Sequence, residues 1–134
     1  MWLLFAILLS LSVTAGVPQQ QARAHDTERK TDIRTVQAYL ANYYADNMAY
    51  PSLNQMNDAD WRSANLKDLD PNALKDPTGT QTKLSATPAQ NLYAYTPQSS
   101  DKQPCDNILT ECRTYTLTAT LEAADEAYSV TPRD

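Results

Sequence analysis

Glycine is nearly absent, with two residues in 134, which excludes a Gly-rich phosphate loop and a dinucleotide-binding fingerprint. One histidine and two cysteines cannot furnish the usual zinc sites. Basic residues are outnumbered, 11 Lys and Arg against 16 Asp and Glu, for a net charge of −5 and a pI near 4.7. Nothing resembles the basic footprint that neutralises phosphates, so no nucleic-acid binding is expected. Internal repeats and low-complexity tracts are missing too. With no constellation of nucleophile, base and orienting group to assemble, the chain reads as a non-enzyme that needs no cofactor.

Branched aliphatics and phenylalanine are also scarce where a core would need them. Leu, Ile, Val and Phe make up only 14 of the 117 residues after Val17. Composition this poor signals disorder when net charge is large, which here it is not. All eight tyrosines fall between Tyr39 and Tyr128. The length suits one domain, and its packing surface is expected to be aromatic and alanine-rich.

The first 17 residues are different. Thirteen of them are hydrophobic, and no charge precedes Arg23. The run from Trp2 to Val17 is 16 residues, slightly short of the roughly 20 that cross a bilayer core. Two readings compete. Residues 1–21 could form a membrane and assembly segment that presents Trp2, Leu3, Leu4, Phe5, Ile7, Leu8, Leu9, Leu11 and Val13. Alternatively they form a signal peptide cut after Val13-Thr14-Ala15, although no basic residue precedes the run.

Residues 22–46 read as helix: they lack Gly and Pro, and Ile33, Val36, Leu40 and Tyr43 recur at three- and four-residue spacing. Pro18 predicts a kink between the apolar and polar halves. A continuous helix from Trp2 to Asp46 would be roughly 65–70 Å long, more than a domain of this size can cover. Asp26 with Arg29 or Lys30 is an i,i+3 or i,i+4 pair on what reads as a solvated face, or as an intermolecular pairing surface. Asn47 is the expected left-handed cap, and Pro51 bars continuation.

Residues 48–90 form a connecting region with short helical pieces near 58–65 and 71–74, anchored by Trp61, Leu66, Leu69 and Leu74. Strands follow over 91–131. Tyr93 and Tyr95 alternate in the first, and Tyr115, Leu117, Ala119 and Leu121 alternate with threonines in the second, so that the threonines should face outward. A third runs from Ala127 to Thr131. Hairpin-scale connections imply an antiparallel meander, with the stripe of Ile33, Val36, Leu40 and Tyr43 packed on Tyr115, Leu117 and Leu121. The fold class is therefore α+β: a long N-terminal helix, apolar then amphipathic, on a small three- to four-stranded antiparallel sheet.

Cys105 and Cys112 are spaced wrongly for a Cys-x-x-Cys redox or metal pair, and a structural disulfide closing the loop fits an oxidising compartment. His25 reads as a surface residue. Asp58, Asp60, Asp68, Asp70 and Asp76 could gather around calcium but do not follow the Asp-x-Asp-x-Asp-Gly pattern, and they read as solvated carboxylates, leaving no metal expected.

Several blocks in order complete a pattern: Ala22-Arg23-Ala24-His25-Asp26-Thr27-Glu28-Arg29-Lys30-Thr31-Asp32-Ile33, then Tyr39 to Tyr44 and Ala49-Tyr50-Pro51. Leu69-Asp70-Pro71, Lys75-Asp76-Pro77, Tyr93-Ala94-Tyr95 and the Cys-flanked loop into Tyr115-Thr116-Leu117 follow. This pattern resembles type IV pilins and the pseudopilins of type II secretion systems, over residues 22–130. The apolar run lacks the family's Gly-Phe junction and early glutamate: Ala6 follows Phe5, and the first acid is Asp26. The resemblance implies a filament subunit that self-assembles with pilin-like partners. It further implies anchoring in a bacterial inner membrane by the N-terminal helix, with the globular part outside and on the cell surface after assembly. The alternative is a small secreted α+β binding domain.

Overall fold

The computed structural model describes residues 2–134, with side chains described from Pro18 onward. Helix α1 spans Trp2–Asn47 and runs through Pro18. Two short helices follow, α2 (Leu53–Met56) and α3 (Ala59–Asn65), then a 3-10 turn at Pro71–Leu74. Strands β1 (Ala94–Gln98), β2 (Thr114–Thr120) and β3 (Ala127–Val130) form one antiparallel sheet in the order β1-β2-β3. The fold is α+β, with the C-terminal half of α1 laid across β2 and β3.

The alternation in β2 sets the core. Leu117 lies opposite Tyr95 on one side and Val130 on the other, so one face carries Tyr93, Tyr95, Tyr115, Leu117, Ala119 and Val130, all buried. Ile33, Val36 and Leu40 of α1 are fully buried in the same cluster, and Tyr43 packs at its edge. Leu121 is buried just beyond β2. Aromatic contacts replace missing aliphatics. Tyr44 stacks on Tyr50 at 4.5 Å, and Tyr50 and Tyr95 meet Tyr115 at 4.8 and 5.7 Å between centroids. Such pairs add about 0.5–1.5 kcal/mol each beyond area burial. The Tyr95 hydroxyl, inside the core, donates to the Pro51 carbonyl at 2.6 Å, which meets the requirement that a buried polar group be partnered.

Several expectations need correction. The inner-membrane anchor is overturned: among the described residues no helix is long and apolar enough to cross a membrane. Just after Pro18 α1 is polar, with Gln19, Gln20, Gln21 and Arg23 all exposed. The side chains from Trp2 to Val13 that prompted the expectation lie outside those described. The left-handed position after α1 is Met48, with φ 59°, and not Asn47. Asn47 instead turns its amide back to the Tyr43 carbonyl. Helix α2 went unforeseen, although Ser52 and Gln55 form a reciprocal capping box.

The threonine face is not simply outward. Thr118 is buried and shares a hydrogen bond with Ser129 at 2.9 Å. Thr96 and Thr120 donate to the carbonyls of Ala86 and Ala89. The chain at 85–89 is thereby held against that face through hydroxyl contacts, which period-two patterning does not encode.

Candidate functional site

The charged segment of α1 is the most organised polar region of the molecule. Arg29 projects from α1 into the domain and is only 2% exposed. Its Nε and Nη2 donate to the two carboxylate oxygens of Asp76 at 2.8 and 3.0 Å. Nη1 donates to Asp26 Oδ1 at 2.8 Å and to Glu122 Oε1 at 3.2 Å, while Nη2 also reaches the Thr78 hydroxyl at 3.0 Å. The planar fork of five donors is thus fully engaged.

Each partner is fixed in turn. Asp76 begins the turn Asp76-Pro77-Thr78-Gly79, where its Oδ1 accepts both the Thr78 backbone N–H and hydroxyl. Gly79 is required here, because a Cβ would collide with the Asn91 carbonyl oxygen. Asp26 accepts the backbone N–H groups of Glu122 and Ala123 at 2.9 and 2.8 Å, and so caps the turn between β2 and β3. His25 Nδ1 lies 2.6 Å from Glu122 Oε1. One guanidinium therefore ties α1 to two separate turns of the domain.

The electrostatics follow. Burial pushes the Asp76 carboxyl up, but Arg29 and the two Thr78 donors outweigh it and hold the group below the usual carboxylate range. Asp26 behaves alike: burial raises it, while the Glu122 and Ala123 amides and Arg29 bring it below normal. The Asp76 hydrogen bonds lead in holding the Arg29 guanidinium protonated beyond its ordinary range. One turn along, Asp32 is the opposite case. Its burial, reinforced by Glu28, Asp76 and Asp70, raises it to about 6, although the Tyr93 hydroxyl donates to it at 2.6 Å.

This chemistry is that of a clamp. Every donor of the cation is spent on a fixed acceptor, and none is aimed at a cavity. Among the described residues no three His, Cys, Asp or Glu side chains are grouped to hold a metal ion. The five aspartates considered for calcium are dispersed: Asp58 caps α3, Asp70 caps the 3-10 turn, Asp76 pairs with Arg29, and Asp60 and Asp68 are exposed.

No protein-family model matches the chain, and neither does a curated protein or a solved structure.

Cys105 and Cys112 are bonded to one another. The loop they close is fastened to the domain by Asn107, which donates to the Tyr50 carbonyl and accepts from the Cys112 N–H. Asp106 accepts three successive backbone N–H groups, from Ile108, Leu109 and Thr110. Ile108 and Leu109 are left at the tip, 86% and 91% exposed.

Sequence reasoning missed the centre of this arrangement. Of the two partners offered for Asp26, Arg29 and Lys30, it is Arg29 that pairs with it, and the pair is buried and not on a solvated or intermolecular face. Asp76 stood out within the Lys75-Asp76-Pro77 block, but nothing local signals its 47-residue reach to Arg29. The signal available was a lone Arg within the period of the apolar stripe, four residues before Ile33.

Proposed function

We propose that this chain is a structural, non-catalytic subunit of a filament of the type IV pilus or type II secretion pseudopilus kind, self-assembling with pilin-like partners. The observation that carries the reading is how α1 leaves its domain. Among the described side chains of α1, burial begins at Asp26, whereas Pro18 to Ala24 are exposed except for the half-buried Ala22. At the point of exit, Arg29 and Asp26 bolt the helix to two turns. A helix held rigidly at its exit transmits its direction to the domain, as a subunit packing helix to helix at fixed crossing angles requires. The order of the motifs across residues 22–130 supports the same reading, and the disulfide suits assembly in an oxidising compartment.

The test is cross-linking of the full chain carrying Gln20→Cys, expressed in its native host, with microscopy of the sheared surface fraction. Filaments and a ladder of cross-linked species are expected. A monomeric product released to the medium, with its mature N-terminus near Gly16, would overturn the reading in favour of a secreted binding domain.

A further inference from the structure

We propose that the exposed side of α1 carries two oppositely charged flanks that join copies of this chain head to tail, the basic flank of one seating on the acidic flank of the next. This rests on the filament reading and names its contact. On one flank stand Arg23, Lys30 and Arg34, all exposed, in a chain whose net charge is −5. Neither Lys30 nor Arg34 belongs to an ion pair among the described residues. Both are parked 5.7 Å from the Tyr128 ring centroid on β3. Arg34 also donates to Gln37 Oε1 at 3.0 Å and lies near enough to Asp134 to favour its charge, without forming an ion pair with it. Beside these cations runs a shallow groove floored by Thr27, Thr31, Thr35 and Ala38, small side chains that let another backbone approach.

The other flank is acidic. At 3.6 residues per turn, Glu28 and Asp32 lie roughly a third to a half turn around the axis from Lys30 and Arg34. Glu28 and Asp70 are exposed, and half-buried Asp32 accepts the Tyr93 hydroxyl; none of the three carboxyls belongs to an ion pair among the described residues. A cationic neighbour would supply the partner they lack. Because the two flanks lie on different sides of one helix, the contact is heterologous. Such contacts propagate unless their rotation closes a ring, and opposite charges also steer the encounter.

The experiment measures self-association of the full chain by sedimentation velocity at low and high salt. Two charge variants are compared, Lys30→Glu/Arg34→Glu at exposed positions and Glu28→Lys/Asp32→Asn, where the asparagine at the half-buried position still accepts the Tyr93 hydroxyl. Near-UV circular dichroism verifies their folding. Each variant alone is expected to associate roughly tenfold or more weakly than the parent at low salt, and an equimolar mixture to regain association, because complementary flanks then alternate. If the parent assembles while the variants associate equally well, or their mixture regains nothing, this contact is overturned and the filament reading stands. If the parent stays monomeric at every salt concentration, both fall.

Discussion

Replacing Arg29 with Met tests the clamp most directly. The guanidinium side chain is 2% exposed and that of Asp76 wholly buried. Removing the cation leaves Asp76 with only the Thr78 donors, while Asp26 keeps the Glu122 and Ala123 amides. The five lost hydrogen bonds do not add at face value, since water satisfies the same groups in the unfolded chain. Breaking a buried ion pair by removing one partner costs about 3–5 kcal/mol. Glu122, at 41% side-chain exposure, adds little. Against a usual total of about 5–15 kcal/mol, that is a large share of the stability. Urea unfolding followed by circular dichroism at neutral pH should show a lowered midpoint with an unchanged slope. Adding Asp76→Asn to the variant should recover part of the loss, because the stranded charge is the main penalty. The pH response is a second check. In the parent, Asp76 sits below its unfolded value of 3.8, so its contribution is fully present above that value and fades as pH falls through the folded one. In Arg29→Met the lowering by the guanidinium is lost while burial still raises the carboxyl, so the variant should regain stability relative to the parent on acidification. A loss under about 1 kcal/mol would equal that of a surface ion pair and refute the clamp.

Two further outcomes follow. Asp32, raised from 3.8 to about 6, binds more protons folded than unfolded between those values, so stability falls as pH rises from about 4 to 6. Because the group is partly solvated, screening discounts the effect to about 1 kcal/mol; Asp32→Asn should stabilise by that amount above pH 6 and by nothing below pH 4 in pH-resolved unfolding curves. Thiol labelling of the native protein should find no free cysteine, and paired Cys105→Ser/Cys112→Ser substitution should cost about 2 kcal/mol by the chain-entropy argument for so short a loop, read from the unfolding midpoint.

What was legible in the sequence was whatever depends on near neighbours. The three- and four-residue spacing of Ile33, Val36 and Leu40 placed the buried stripe of α1, and the alternation of Tyr115, Leu117 and Ala119 placed β2, because burial imposes those periods on the chain. The short helical piece expected at 71–74 is the 3-10 turn Pro71–Leu74, and the cysteine pair announced its closed loop. Two positions were misjudged by local rules. Asn47 had the better left-handed preference, yet Met48 takes the position. The apolar opening run suggested an anchor, yet no described helix can cross a membrane.

Tertiary structure alone decided the rest. That Arg29 would point inward depended on Asp76 and Glu122, 47 and 93 residues away. Their carboxylates outweigh the desolvation that otherwise keeps an arginine on the surface. The split of Asp26 and Asp76 from Asp32 had the same origin: identical side chains are held ionised or pushed towards neutrality by the donors and carboxyls the fold sets around them. Glycine, nearly absent from the chain, is indispensable at Gly79 for a comparable reason, since only the packed turn brings the Asn91 carbonyl against it. Periodicity determined which faces are buried; long-range charge pairing determined how the helix is fastened to the domain that it serves.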